Sequence, residues 1–470
     1  MIKKIVNHSL IYAILPKLPI LLGFLMLPIL TPFLTDTDYG VFGVIMSITT
    51  GATVIKGLGL DMILMNSFIH HYKSKRYKYV WNEIQGFIFL WSIILGLIIG
   101  ILIYWILPVE AKKDRSLIII LTIIPILFYS SLQIVSNKYY QFAERPIQIG
   151  YRSLIFGIIS IAFNYYLIVV MKMGYMGWFW SLFVTESLMF LSYIYPIWIC
   201  KKLYPNFLFR RRAIKRYLKL SLPLVPHTSS FFLLDFSDRI VMINLSVSTA
   251  NIGLYDFAYR FAGYARVFSE SIHQASTPLL IKEYKKRKET SYIKDMIFLQ
   301  SFVVCFVSFV ISIWLKEIFQ VMVKNEDLAN TYSMGIILTM AYAYKPMYTA
   351  MATVFYYHEK TKEFWKISFV AGLINIILNI ILIPIYGYKV AVLTTFLSFL
   401  YIGFSGFFVT SFKKIYSHSF KPFMWITYII TLLLISYIFK DSSSFIKLLL
   451  TLILFIFTII KSVTLIKKIK

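Results

Sequence analysis

The chain is poor in the polar residues from which soluble domains are built. Only 15% of its 470 residues are charged, 59% are hydrophobic, and the mean hydropathy is +0.73. Such a composition leaves too few polar side chains to cover a soluble globule of this size. The sequence therefore predicts an integral membrane protein. Since no polar stretch between the apolar blocks is long enough for a catalytic domain, we predict that the protein is not an enzyme.

Cysteine and cofactor-binding motifs are also scarce. The two cysteines, Cys200 and Cys305, lack metal-ligand spacing, which excludes a disulfide framework and a zinc site. No Walker A loop is present, so the chain carries no ATPase of that type, and the seven histidines lack the spacing of a zinc-binding helix. We therefore expect neither a metal nor a cofactor.

Acidic residues are few, and the resulting net charge of +27 comes from 48 basic against 21 acidic residues. A large positive charge can indicate nucleic-acid binding. Here, however, the basic residues form short clusters between apolar blocks, as in the cytoplasmic loops of membrane proteins. We therefore expect the lipid bilayer, and no nucleic acid, as the partner of this charge.

The apolar blocks predict about fourteen membrane-spanning helices, since a helix needs about 20 mostly apolar residues to cross a bilayer. With the N-terminus inside, 33 of the 48 Lys and Arg residues fall in alternate, cytoplasmic segments. Both termini are therefore predicted to be cytoplasmic. The predicted spans are 10–31, 39–65, 86–107, 116–136, 150–171, 174–199, 218–244, 252–280, 296–320, 331–357, 364–385, 389–411, 422–439 and 445–463.

The sequence repeats itself at a spacing of about 214 residues. "DYGVF" at 38–42 matches "NIGLY" at 251–255, and the stretch from 141 matches the stretch from 356, with Asn164 opposite Asn379. Six spans lie in each repeat, so both halves keep the same orientation. We predict an all-α membrane protein of two parallel six-helix repeats with a central cavity between them, followed by two additional helices.

Four segments follow from this repeat. We predict an N-terminal lobe, a basic amphipathic linker that lies on the inner leaflet, a C-terminal lobe, and two further helices with a basic cytoplasmic tail. Their limits are 1–200, 201–217, 218–412 and 413–470.

Charged residues inside the predicted spans are the candidates for function. A charge near the bilayer centre costs about 3 kcal/mol, so it faces a cavity or finds a partner. Basic groups in a cavity favour an anionic substrate, and the acids weaken that field or couple transport to an ion. The basic candidates for substrate binding are Lys17, Lys345, Arg266, Arg260, Lys56 and Arg239. The candidate cavity or ion-coupling acids are Asp61, Asp235, Asp238, Asp256 and Glu270, with Glu186 a further acid inside a span.

Pairing along a helix is the competing explanation for these charges. Asp256 with Arg260, Arg266 with Glu270, and Asp235 with Arg239 are each four residues apart, a spacing at which they can neutralise each other. Lys17 and Lys345 have no acid within four residues, which ranks them first for an anionic substrate, unless acids from other helices pair with them.

Several stretches resemble the bacterial polysaccharide-transport flippases. Residues 217–284 resemble the central signature of that family: a proline-bearing span, Asp-Arg near its outer end, Gly-Leu-Tyr, a polar helix and a late proline. "DYGVF" and "NIILNIILIPIYGYKVAVLTT" are similar to further landmarks, and the likeness covers about residues 5–412. One departure is Lys389-Val390-Ala391 where the family often has Gly-Ala-Ala, which puts close packing there in doubt.

This resemblance implies the fold of the multidrug/oligosaccharidyl-lipid/polysaccharide exporters. It further implies a flippase in the bacterial inner membrane that moves an undecaprenyl-diphosphate-linked oligosaccharide, of O-antigen or capsule type, to the outer leaflet by alternating access. A polysaccharide polymerase and chain-length machinery are the implied protein partners. The alternatives are a peptidoglycan lipid-precursor flippase and a cation-coupled multidrug exporter of the same fold.

Overall fold

The computed structural model describes residues 17–286, 291–358, 361–415 and 419–469. In these ranges the regular structure is helical, without a β-strand. The prediction of an all-α protein is confirmed.

The chain divides into two compact units. Unit 1 holds the residues up to Phe232 together with Ser248–Ala250, and unit 2 holds Leu233–Val247 and the residues from Asn251 onward. Helices α11 and α13 below both cross the limit between the units. The limits of lobes and linker at residues 200, 217 and 412 stay a prediction.

Unit 1 is built from ten helices in its described residues, and an eleventh leads into unit 2. Short 3-10 or π-helical turns join several of them, two of which contain Pro125 and Pro196. The helices are α1 Leu18–Leu25, α2 Leu27–Leu30, α3 Asp36–Lys56, α4 Asp61–His71, α5 Tyr77–Ile106, α6 Arg115–Ile124, α7 Ser130–Phe142, α8 Pro146–Asn164, α9 Tyr175–Tyr193, α10 Arg211–Ser221 and α11 Val225–Asp235.

Unit 2 continues with twelve helices in its described part. The longest, α13, carries four of the twelve charges that the sequence places inside a span. The helices are α12 Ser237–Asn244, α13 Thr249–Lys286, α14 Ser291–Ile313, α15 Leu315–Met322, α16 Glu326–Ala329, α17 Tyr332–Ala341, α18 Lys345–Tyr357, α19 Thr361–Tyr386, α20 Ala391–Phe404, α21 Thr410–Ile415, α22 Pro422–Ile438 and α23 Ser444–Ile469.

Nine helical segments in the described ranges are long and apolar enough to cross a membrane. Each coincides with one of the fourteen predicted spans, so a multi-pass membrane protein is confirmed, while the count of fourteen stays a prediction. The nine segments are Asp36–His71, Tyr77–Ile106, Val109–Phe142, Ile147–Val170, Tyr175–Cys200, Ser291–Ile313, Trp365–Tyr386, Tyr388–Phe408 and Ser444–Lys468.

The other five predicted spans differ for identifiable reasons. Residues 10–16 of the first span lie outside the described residues, and the rest of it is interrupted at Met26, two residues before Pro28. The tenth is interrupted by a 3-10 turn that ends at Tyr344, two residues before Pro346. The seventh is divided among α10, α11 and α12, as expected for a segment containing Pro223 and Pro226. The eighth is one continuous helix, but a highly charged one, and α22 is 17 residues long.

Helix order and turn geometry reproduce the predicted repeat. Helix α3 begins at Asp36 and α13 begins at Thr249, 213 residues later. The turns before α9 and α20 contain Gly174 and Gly387, also 213 residues apart, and both have a positive φ that favours glycine. Equivalent turns in the same order support two repeats of one helical arrangement.

Candidate functional site

Asp256, in the first half of α13, is the centre of a buried ion-pair cluster in unit 2. One carboxylate oxygen lies 3.1 Å from Arg239 Nε and the other lies 2.6 Å from Arg260 Nε. The Arg239 guanidinium also lies 4.1 Å from the ring centroid of Tyr259 and 4.9 Å from that of Tyr255. Two guanidinium groups thus share one buried carboxylate, which offsets part of the cost of burying the charges.

Asp238, at the start of α12, is the centre of a second cluster, in which the hydrogen-bond donors are neutral and Arg239 Nη1 lies 3.9 Å from the carboxylate. Asn379 donates to one carboxylate oxygen at 2.6 Å, while Thr395 at 3.2 Å and the Tyr255 hydroxyl donate to the other. Thr394 donates in turn to the Asn379 side-chain oxygen at 2.5 Å. A buried carboxylate with this many donors holds α12, α13, α19 and α20 in one arrangement.

Asp235, at the end of α11, connects a third group of side chains. Its carboxylate accepts from the hydroxyl of Tyr259 at 2.6 Å and from that of Tyr342 at 3.3 Å, and it lies 3.5 Å from Arg266 Nη1. The Tyr259 hydroxyl, 3.2 Å away, is an alternative acceptor for the one Tyr342 proton. These contacts anchor Arg266 from outside its own helix.

Lys345 and Glu270 belong to the same region of unit 2. Lys345 opens α18 and lies within Coulombic range of Glu270, Asp235 and Arg266, and its ammonium is 5.5 Å from the centroid of the Tyr348 ring. Lys345 therefore has acidic neighbours on other helices, although it has no acid within four residues along the chain.

Exposure separates the three arginines of this region. The side chain of Arg239 is 2% exposed, whereas those of Arg260 and Arg266 are 36% and 35% exposed. Arg266 Nε is buried and has no hydrogen-bond partner among the described residues. Arg239 is thus a core residue, while Arg260 and Arg266 combine an anchoring carboxylate with an accessible guanidinium.

Unit 1 contains a pocket of about 240 Å³ that holds Lys56. Glu186 and Gln133 line the same pocket, and Gln133 donates to the Glu186 carboxylate at 2.5 Å. Three threonines of α3 (Thr49, Thr50 and Thr53) face the pocket and donate to carbonyl groups of their own helix. A cation, a carboxylate and a row of hydroxyl groups therefore meet inside one half of the chain.

Asp61 and Lys17 lie elsewhere in unit 1. Asp61 opens α4 and pairs with Lys138 at 2.9 Å, with half of its side chain exposed. This pair links the start of α4 to α7 within unit 1. Lys17 immediately precedes α1 and is half-buried. The structure thus groups six predicted charges around α12 and α13, with Lys345 and Glu270 nearby, and locates Lys17, Lys56 and Asp61 in unit 1.

The three predicted pairs within helices have different outcomes. The pair of Asp256 with Arg260 is confirmed. Arg239 reaches only the backbone carbonyl of Asp235, and its ion pairs are with Asp256 at 3.1 Å and Asp238 at 3.9 Å, so the predicted pair with the Asp235 carboxylate is wrong. Arg266 pairs with Asp235 instead of with Glu270. In both cases a carboxylate on a neighbouring helix comes closer than the one a turn away.

Neutral residues of the clusters were missed by reasoning from charge alone. They include Tyr255, Tyr259, Tyr342, Asn375, Asn379, Thr394 and Thr395, and in unit 1 Gln133, which contacts the predicted acid Glu186. A signal was present for one of them, because Asn379 stands in an apolar helix and is repeated as Asn164. In the described ranges no group of three or more His, Cys, Asp or Glu could hold a metal ion.

Comparison with known families gives a match that covers more than half of the chain. Residues 8–282 match the model of the family described as "Polysaccharide biosynthesis protein". The chain belongs to the polysaccharide biosynthesis protein family. The matched range includes α12 and most of α13, and with them the two clusters centred on Asp238 and Asp256. No curated protein sequence matches the chain.

Solved structures show that this member of the polysaccharide biosynthesis family has an exporter fold. It is similar to the lipid II flippase MurJ in an inward closed conformation, with 16% identity, all of both chains covered and a TM-score of 0.68. An inward-facing MATE multidrug transporter of the MOP superfamily shares 13% identity over 93% of this chain and 96% of its own, with a TM-score of 0.61. A MOP superfamily transporter from Pyrococcus furiosus shares 15% identity over 92% and 96%, with a TM-score of 0.58.

At these identities the likeness establishes the fold alone. The fold is that of flippases and transporters, and the resemblance found in the sequence is confirmed at the level of the family. The names of these neighbours are those of a flippase and of transporters, and that this chain is not an enzyme stays a prediction.

Proposed function

We propose that the protein is a flippase for an undecaprenyl-diphosphate-linked oligosaccharide of O-antigen, capsule or similar type. The family supports a role in polysaccharide biosynthesis. The environment of Arg266 is the observation that supports an anionic substrate. Its partly exposed guanidinium is anchored by Asp235, and its Nε has no hydrogen-bond partner among the described residues. A diphosphate is a bidentate acceptor well suited to such a group.

The remaining charged candidates have different roles in this proposal, from direct diphosphate binding to structural support. Arg260 is as exposed as Arg266 and would bind the diphosphate beside it. Lys17, Lys56 and Lys345 would attract the anion or contact the sugar, whereas Arg239 has a structural role because it is enclosed by Asp256 and two tyrosine rings. Asp61, Asp235, Asp238, Asp256 and Glu270 would shape the cavity or couple transport to an ion.

The cellular setting is part of the same proposal. The protein would lie in the bacterial inner membrane with both termini in the cytoplasm, move its substrate to the outer leaflet by alternating access, and supply a polysaccharide polymerase and its chain-length machinery. The concentration of 33 of the 48 basic residues in alternate segments supports this orientation.

Complementation tests the substrate class. We expect this chain to restore surface polysaccharide in a strain that lacks its O-antigen or capsule flippase, and Arg266→Ala, Lys17→Ala and Lys345→Ala to lower that polysaccharide at equal protein level. Arg266→Lys should recover part of the activity, and Lys389→Ala, an exposed cation outside the site, serves as the control. Full surface polysaccharide in all three alanine variants would contradict the proposed anion site.

A peptidoglycan lipid-precursor flippase is the second candidate. It is favoured by the likeness to MurJ over the full length of both chains. Growth of a MurJ-depleted strain that expresses this chain, without recovery of surface polysaccharide in the first strain, would select this alternative.

A further inference from the structure

A groove with a basic rim and an apolar floor lies on the predicted linker in unit 1, apart from the residues assigned to transport. Its volume is about 520 Å³, within the range of about 300–1,000 Å³ typical of sites for small molecules. The apolar lining consists of Phe87, Phe209, Ile214, Leu218 and Leu222.

Helix α10 supplies the charge of this groove. Arg211, Lys215 and Lys219 line it at intervals of four residues, so their side chains follow one face of the helix. Arg212 and Arg216 are also exposed but do not line the groove. The helix has five cations and no acid, which makes it complementary to an anionic headgroup.

The groove is held in place by the segment that precedes α10. Arg210 forms a bidentate contact with Glu83 of α5, at 2.8 Å and 3.4 Å, and the Asn206 amide donates to the Asn82 carbonyl at 2.9 Å. Gly86 permits this approach, because a Cβ there would collide with the Asn206 carbonyl. A rigid backing of this kind lowers the cost of ordering a bound ligand.

We propose that this groove binds one anionic glycerophospholipid. The lipid phosphate lies between Lys215 and Lys219, and one acyl chain lies along Phe87, Ile214 and Leu218. A lipid is the occupant that the observations favour, because a free anion needs only the cations, whereas the groove joins them to a continuous apolar floor. The proposal is independent of which lipid-linked sugar the protein carries.

Binding of defined lipids to the purified full-length protein tests the proposal. Native mass spectrometry would follow titration with dioleoyl phosphatidylglycerol, with dioleoyl phosphatidylcholine, with undecaprenyl phosphate and with inorganic phosphate. Lys215→Gln/Lys219→Gln removes two cations of the groove, and Arg212→Gln/Arg216→Gln removes two at the same spacing on the same helix outside it. Leu218→Trp fills the apolar floor.

We expect phosphatidylglycerol to bind at least tenfold more tightly than phosphatidylcholine, and inorganic phosphate not to displace it. The Lys215→Gln/Lys219→Gln variant should weaken phosphatidylglycerol binding about thirtyfold, in line with the contribution of two basic residues at a membrane surface. The Arg212→Gln/Arg216→Gln variant should retain it within about twofold. Leu218→Trp should weaken both lipids, while size-exclusion chromatography verifies that each variant is folded.

Three results would overturn the proposal. Equal weakening in the two double variants would indicate attraction by overall charge, and displacement by inorganic phosphate would indicate a phosphate site. Tighter binding of undecaprenyl phosphate than of phosphatidylglycerol, sensitive to Lys215→Gln/Lys219→Gln, would assign the groove to the carrier lipid of the substrate. None of these measurements requires transport, so their failure leaves the proposed flippase activity to be judged separately.

Discussion

Several residues that are charged in unit 2 are uncharged at the corresponding positions of the repeat in unit 1. At the spacing of 213 residues, Asp235, Asp238 and Asp256 of unit 2 correspond to Leu22, Leu25 and Gly43 of unit 1, and Arg239 and Arg260 correspond to Met26 and Ser47. The ion pairs around Asp256 therefore have no counterpart in unit 1 at the same positions. Unit 1 has its own charges at other positions, with Lys56 and Glu186 lining an open pocket.

A reduced form of the polar contact between two helices persists in unit 1. In unit 2, Asn375 of α19 donates to Thr395 of α20 at 3.3 Å. In unit 1, Ser181 of α9 donates to the Ser160 carbonyl of α8 at 3.0 Å, and their hydroxyl groups lie 3.3 Å apart. The repeat thus keeps a hydrogen bond between equivalent helices while only unit 2 builds it into a charged network.

This difference between the units separates charges with a structural role from charges that can bind a substrate. A charge that is fully enclosed by partners, such as Arg239, stabilises one arrangement of helices and is costly to disturb. A charge at a pocket or with an accessible tip, such as Lys56 or Arg266, can change partners when a substrate arrives. Variants in the two classes should therefore affect different measurements.

The largest loss of stability is expected for Asp256→Ala in unit 2. It leaves the 2% exposed Arg239 side chain without its nearest carboxylate, and breaking a buried pair in this way costs about 3–5 kcal/mol. We expect a large fall in the temperature at which the detergent-purified protein loses its monodisperse size-exclusion peak.

A double variant controls for the charge imbalance. Arg239→Met combined with Asp256→Asn removes the isolated cation and should recover much of the lost stability, because apolar replacement of a buried pair is often tolerated. If Asp256→Ala were as stable as the wild type, the ion-pair cluster around Asp256 would not stabilise unit 2, and the proposed difference between the units would be wrong.

The repeated asparagines provide a matched pair with a smaller effect. Asn379→Leu removes a donor to Asp238 and an acceptor for Thr394, and leaving such buried groups unsatisfied costs about 1–3 kcal/mol each. Asn164→Leu removes a side-chain oxygen that is buried without a partner among the described residues, so it should be neutral or slightly stabilising. Equal thermal stability of the two variants would remove the asymmetry between the units.

The sequence predicted the helices and the positions of the charges well, because apolar length and basic loops depend on local composition. It also predicted the pair of Asp256 with Arg260, which is a contact within one helix. It failed for Arg239 and Arg266, whose carboxylates come from neighbouring helices and depend on tertiary packing. It could not anticipate the roles of Tyr255 and Tyr259, since a tyrosine in an apolar helix has the same appearance whether it packs or donates.

The unit 1 pocket should respond in transport and not in stability. Lys56→Gln removes a cation from a pocket that already contains Glu186 and Gln133, and the loss of one charge-assisted contact corresponds to about a tenfold change. We expect transport of the lipid-linked oligosaccharide, measured as surface polysaccharide, to fall by about this factor at unchanged thermal stability. If Lys56→Gln were destabilised as much as Asp256→Ala, Lys56 and its pocket would have a structural role and not a role in transport.

The smallest effects are expected for exposed ion pairs, and here the two units should behave alike. Lys138 with Asp61 in unit 1 and Lys316 with Asp441 in unit 2 lie at 2.9 Å and 2.6 Å, and both acids are 50% exposed. Pairs of this kind contribute about 0.2–1 kcal/mol. Asp61→Asn and Asp441→Asn should each lower the free energy of unfolding by no more than that.

The pH dependence of the second pair has a definite sign. Hydrogen bonds from Lys316 and Tyr332 lower the pKa of the Asp441 carboxyl group. A carboxyl whose pKa is lower in the folded state contributes stability above its unfolded pKa of about 4 and loses it as the pH falls through the folded value. The wild type should therefore be slightly more thermostable than Asp441→Asn at pH 7, and this difference should disappear in acid. A difference that grows below pH 4 would contradict this assignment, because it would require a carboxyl stabilised in its protonated form.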